Sequence, residues 1–104
     1  MTIYFFHYRL SPEYNFPAAH EDAKRVLEHI DSIHPEDSKV WIGESAGGNL
    51  AAGVCIDDKF KIKPSALVLM SPWLDLSDKM VDRSYLKNKD ILLSHEGMYD
   101  VGIY

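Results

Sequence analysis

The stretch that most constrains the fold is Val40-Trp41-Ile42-Gly43-Glu44-Ser45-Ala46-Gly47-Gly48-Asn49-Leu50. It is an apolar run that stops at a glycine, carries one serine, and reopens as small helix-forming residues. Gly43, Ser45 and Gly47 make the pattern G-x-S-x-G, which between a strand and a helix is a turn so sharp that the serine hydroxyl projects at the top of a sheet. Glycines belong on either side because bulkier residues two positions from the serine would collide as strand and helix close up. The bare pattern arises by chance in about one chain in thirty of this length. Its weight comes from its setting: a short buried-strand signal, Val40-Trp41-Ile42, before it and helix-compatible residues from Asn49 to Val54 after it. A glycine-rich turn with a solvated serine would account for the pattern without that setting.

The flanking chain supplies the partners such a turn needs. Thr2 to Tyr8 is β-branched and aromatic throughout, as in a strand covered on both faces of a parallel sheet, with His7 read as a packed core histidine. Arg9-Leu10-Ser11-Pro12-Glu13 breaks it, and Asn15-Phe16-Pro17 offers a capping side chain and a proline near a first helical turn. In the helix that follows, Ala19, Ala23, Val26, Leu27, Ile30 and Ile33 form one stripe, while His20, Glu21, Lys24, Arg25 and Glu28 fall off it. Glu21 can reach Arg25 at i,i+4, which reads as a solvated face, with His20, His29 and His34 on the surface. His34-Pro35 ends the helix and Glu36-Asp37-Ser38 leads into a strand from Lys39 to Ile42. Gly47, Gly48, Ala51, Ala52 and Gly53 then give the second helix a nearly bald face for close approach to the sheet, at a cost of about 1 kcal/mol per interior glycine. After Asp57-Asp58-Lys59, Ala66 to Met70 reads as a third strand. Ser71-Pro72-Trp73-Leu74-Asp75-Leu76 lies at its carboxyl end, the edge where open α/β sheets place ligands. From Ser77 the chain is polar and loosely patterned, with a short helical pattern at Ser94 to Tyr99. Strand, helix, strand, helix, strand predicts an α/β fold of three layers, αβα, with parallel strands and right-handed crossovers.

Composition narrows the class. With 104 residues, 46% of them hydrophobic, the chain suits one small domain or part of one. A net charge of −5 without a Lys/Arg cluster argues against nucleic acid. No apolar run approaches the roughly twenty residues of a membrane helix, and the start lacks signal-peptide features, so a soluble, cytoplasmic chain is expected. Cys55 is the one cysteine, which precludes an internal disulfide and a cysteine metal site; it reads as a buried apolar residue. No residues stand at metal-ligand spacing, and no metal or cofactor is expected. A nucleotide-binding module is disfavoured because Gly43 to Asn49 fits neither phosphate-loop pattern.

Three blocks stand in the order and spacing of one enzyme family. They are Tyr8-Arg9-Leu10-Ser11-Pro12-Glu13 with Phe16-Pro17-Ala18-Ala19, Gly43-Glu44-Ser45-Ala46-Gly47-Gly48-Asn49-Leu50-Ala51, and Ser71-Pro72-Trp73-Leu74-Asp75-Leu76. In these the chain resembles the hormone-sensitive-lipase-like α/β-hydrolases over essentially its whole length. The resemblance implies a carboxylic ester hydrolase acting on small esters, with Ser45 as nucleophile and the Ala46 backbone N–H as one oxyanion donor. It also implies that residues 1–104 are a single partial domain, the middle of such an enzyme. The family's HGGG-type loop precedes the first strand seen here, on a strand lying between Thr2–Tyr8 and Lys39–Ile42, and its acid and histidine follow later strands. Either those two strands then pair directly or the sheet keeps a slot for a complementing chain, whether another polypeptide or a second copy. Ser45 with Asp75 or Asp90 and then His95 has the chain order Ser, acid, His, but no strand between Asp75 and His95 returns them to the sheet edge. Asp75 reads instead as orienting the turn after the third strand, His95 as a surface residue, and Glu44 as a hydrogen-bonding anchor of the serine turn. The alternative to an esterase is a non-catalytic remnant or one half of a split hydrolase.

Overall fold

The apolar stripe on Ala18–Ile33 makes an amphipathic helix, α1, which runs over those sixteen residues in the computed structural model. The structure describes residues 1–75. After α1 come β1 (Val40–Glu44), α2 (Ala46–Ile56) and β2 (Ala66–Met70). Met1–Leu74 form one compact unit, and Asp75 opens a second.

β1 and β2 pair in parallel, with Val40 opposite Ala66, Ile42 opposite Val68 and Glu44 opposite Met70. A parallel pair needs a crossover, and α2 supplies it. Alternation along the strands then sorts the side chains. Trp41 and Gly43 are buried and Leu67 and Leu69 half-buried on one face, whereas Val40, Ile42, Val68 and Met70 are exposed on the other. α2 packs against both strands and α1 against α2. The core is Ala23, Trp41, Leu50, Val54 and Phe60, with Phe6, Tyr8, Ala19, Leu27 and Leu67 packed around it. Phe60, in the loop after α2, closes that core against Trp41 at a ring separation of 6.5 Å. Among the described residues two of the three expected layers are therefore present, a helical layer and a sheet.

Three expectations change. Thr2–Tyr8 does not join the sheet: it keeps the alternation of a strand, with Phe6 and Tyr8 half-buried on the core and Phe5 and His7 exposed, but no described strand pairs with it. Without a ladder partner the alternation alone does not make a strand. His7 accordingly sits outside the core, edge-on to Phe5 at 5.7 Å. Nor does Asn15 cap α1 with its side chain; its backbone carbonyl accepts from the Ala18 N–H at 3.0 Å, and Pro17 occupies the cap position.

The acidic start of α1 is also more than a solvated face. Arg9 donates from its backbone N–H and from Nε to Asp22 (2.9 Å, with Nε at 3.0 and 2.9 Å to the two oxygens), and its Nη2 reaches the Ala18 carbonyl at 3.2 Å and Glu21 at 3.3 Å. Glu21 thus meets Arg9. The planar guanidinium suits this fork and ties the N-terminal segment to the helix. Hydrogen bonds from Arg9 hold the Asp22 carboxyl below its ordinary value. At the other end Lys39 donates to the His34 carbonyl at 2.7 Å and pairs with Asp31 at 2.8 Å, closing a helix whose last turn carries no basic residue of its own. Lys24 on α1 pairs with Asp57 at the end of α2, which lowers the Asp57 pKa through that hydrogen bond.

Candidate active site

Ser45 joins β1 to α2 with φ 51 and ψ −117. A non-glycine residue held at positive φ costs on the order of 1–3 kcal/mol and persists only where its surroundings impose it. Here they do. The Ser45 N–H donates to the Met70 carbonyl at 3.1 Å, extending the ladder by one step. Its carbonyl accepts from Gly48 and Asn49 at 3.0 and 3.2 Å, which starts the helix, and from Trp73 at 3.1 Å. Trp73 reaches it because the chain reverses after β2 through Ser71, itself at φ 42. Asn49 Nδ2 then donates to the Trp73 carbonyl at 2.7 Å, locking that turn to the first turn of α2. The serine backbone is held from three sides while its side chain stays exposed and makes no capping bond to α2.

Close packing at the corner rests on two glycines. A Cβ on Gly43 would lie 2.7 Å from the Gly47 carbonyl carbon and 2.8 Å from Gly48 Cα, nearer than side-chain atoms are found. A Cβ on Gly48 would lie 2.8 Å from Pro72 Cβ. Gly47 is different: nothing lies within 4 Å of where its Cβ would stand. The residue that must be bare on the helical side is thus Gly48, which faces the Ser71–Trp73 turn, and the expectation for Gly47 is corrected accordingly.

Ala46 begins α2, so its N–H precedes the helix's own hydrogen bonds and lies beside the serine. The helix dipole adds partial positive charge at that end. Glu44 does not anchor the turn: alternation points it away from the core, and its carboxylate is exposed and makes no hydrogen bond to another described residue. Asp75 belongs to the second unit, and Asp90 and His95 lie outside the described residues. Among the described residues, no group of three or more His, Cys, Asp or Glu could hold a metal, and no helix is long and apolar enough to cross a membrane.

Sequence reasoning missed the hydrogen bonds that fix this corner, those of Asn49 and Trp73. Their signal is the Gly-Gly-Asn that follows the serine, where an amide side chain one helical turn on faces whatever comes off the neighbouring strand.

A family model described as alpha/beta hydrolase fold matches residues 1–102. The chain is 36% identical over 90 residues to an acetyl-hydrolase of Streptomyces hygroscopicus, covering 84% of this chain and 30% of that protein. It is 34% identical over 95 residues to an esterase of Acinetobacter venetianus, with coverages of 88% and 31%. The crystal structure of ESTFA in an Fe-lacking apo form superposes with a TM-score of 0.63 at 32% identity, over 81% of this chain and 29% of that one. The chain belongs to the alpha/beta hydrolase family and to its branch of esterases and acetyl-hydrolases. It spans about 30% of the length of these relatives.

Proposed function

We propose that this chain carries the nucleophile corner of a serine carboxylic ester hydrolase. One observation carries the reading: an exposed serine whose backbone is forced to positive φ between the carboxyl end of a parallel strand and the start of a helix. In this reading Ser45 Oγ attacks an ester carbonyl carbon, an imidazole accepts its proton, the alcohol leaves, and water releases the acid from the acyl-enzyme. The Ala46 N–H supplies one donor to the oxyanion. Names such as acetyl-hydrolase and esterase among the relatives support small carboxylic esters as substrates. The imidazole and its carboxylate come from beyond the described residues. The sheet face that the described residues leave uncovered favours a second reading, in which the chain is a non-catalytic remnant or one part of a split hydrolase completed by another polypeptide or a second copy.

Fluorophosphonate labelling of the folded 104-residue chain separates the two. The expected result is one adduct, mapped to Ser45 by mass spectrometry and lost in Ser45→Ala and in urea. A cooperatively folded chain that takes no label would favour the remnant.

A further inference from the structure

Some distance along the sequence from the serine corner, a second hydroxyl is poised against a base. Tyr4 Oη lies 2.6 Å from His34 Nε2. On the other side of the ring, His34 Nδ1 lies 3.3 Å from Asp37 Oδ2. Nucleophile and base within hydrogen-bond reach, with the base oriented by a third group, is the arrangement that activates weak nucleophiles. A carboxylate beside Nδ1 favours the tautomer that carries its proton there. With the proton on Nδ1 facing Asp37, Nε2 presents its lone pair to the phenol, which then donates.

The arrangement is built and accessible. The His34 N–H donates to the Ile30 carbonyl at 3.0 Å, so the ring hangs from the last turn of α1. The Asp37 N–H donates back to the His34 carbonyl at 3.3 Å, and Lys39 Nζ bridges the carbonyls of His34 and Asp37 at 2.7 and 3.1 Å. These bonds set the His34–Asp37 turn. Tyr4 is 45% exposed, open to a reagent from solvent.

We propose that Tyr4 is a second, base-assisted nucleophile that accepts acyl groups from activated aryl esters, independently of Ser45. In the step, Tyr4 Oη bonds to the carbonyl carbon, the ester C–O bond breaks, and the phenolic proton passes to His34 Nε2 and on to the departing aryloxide. The donor is an aryl ester of a phenol more acidic than tyrosine, because only such a leaving group makes transfer to a phenol run forward. The product is O-acyl-Tyr4 on a stoichiometric scale. His34 acts as base, and Asp37 is a positioning residue.

The test uses p-nitrophenyl acetate on the full chain carrying Ser45→Ala, which removes the other nucleophile. Tyr14 is also exposed and lies over Arg9, so it serves as the internal control. By peptide mapping, Tyr4 should take up acetyl ~100-fold faster than Tyr14, the lower end of what a positioned general base contributes. Urea should abolish the difference. His34→Gln should bring Tyr4 down to the rate of Tyr14. Asp37→Asn should slow the reaction less, and Asp37→Glu should restore it. The proposal falls if Tyr4 and Tyr14 acetylate at equal rates in the folded chain, if the preference survives urea, or if folded His34→Gln keeps it. It also falls if ester is consumed at His34 with Tyr4 left unmodified.

Discussion

Adding a methyl group at each glycine of the serine turn separates steric need from mere smallness. Gly43→Ala would place Cβ against the backbone of Gly47 and Gly48, and Gly48→Ala would place it against Pro72. Backbone cannot step aside as a flexible side chain can, so Gly43→Ala is expected to cost about 1–3 kcal/mol or more, and Gly48→Ala somewhat less. Gly47→Ala meets open space and should be neutral or stabilising by up to about 1 kcal/mol, since alanine is the better helix former. Urea unfolding of the three variants checks the order. The pattern was legible in the sequence, but which glycines are sterically required was not. Spacing along the chain says nothing of the turn after β2, and it is that turn, folding back onto α2, that makes Gly48 the tight position.

At the scale of elements, α1 meets α2 through a histidine that the helical stripe assigns to the surface. His20 lies edge-on to Phe16 at 5.3 Å, and its Nε2 would be 2.7 Å from a Cβ on Gly53. Burial lowers the His20 pKa, nearby Lys24 lowers it further, and Asp57 acts against both. The folded state therefore prefers the neutral ring. Between the folded value and the ordinary value of 6.5, the unfolded chain binds more protons, so stability rises with pH across that window. The contribution is complete above 6.5 and is lost as pH falls toward the folded value. The urea midpoint should thus drop between about pH 7.5 and pH 5, and His20→Asn should flatten that slope. Asp22 and Asp57, both lowered from 3.8, add a separate loss only in stronger acid. The bare face of α2 hints at this contact, because Gly53 leaves room for a ring; periodicity on α1 alone cannot see it. Arg9 was equally hidden. Its partner Asp22 is thirteen residues away on an element whose orientation the sequence does not give. The first apolar run, in contrast, has every local feature of a strand and lacks only a neighbour to pair with among the described residues.

For the whole unit, the two faces of the sheet have unlike fates among the described residues. One is sealed by helices around Val54, which is 1% exposed, while Ile42 on the other is 65% exposed. Val40, Ile42, Val68 and Met70 stand together in register on that open side. Contiguous apolar surface of this kind promotes association. The isolated chain is expected to self-associate at raised concentration and to bind a hydrophobic dye. Ile42→Lys should raise the monomer fraction in sedimentation velocity and leave stability within about 0.5 kcal/mol, as surface changes usually do. A wild-type chain that stays monomeric and dye-negative would contradict this. The parallel α/β class was readable because unbroken apolar runs separated by a helical pattern admit few other arrangements. How many layers cover the sheet was not, because a run apolar on both faces reads the same whether one face or two are packed.

A single peptide oxygen, that of Ser45, receives N–H groups from its own helix and from the turn beyond β2. The tolerance of the chain to changes in length therefore differs sharply over a few residues. Lengthening the segment from Ser71 to Trp73 would carry the Trp73 N–H out of reach and unhitch Asn49 with it, freeing the serine to relax into ordinary helical backbone. Lengthening the Lys59–Ser65 connection, which donates nothing to that oxygen, would leave the corner as it is.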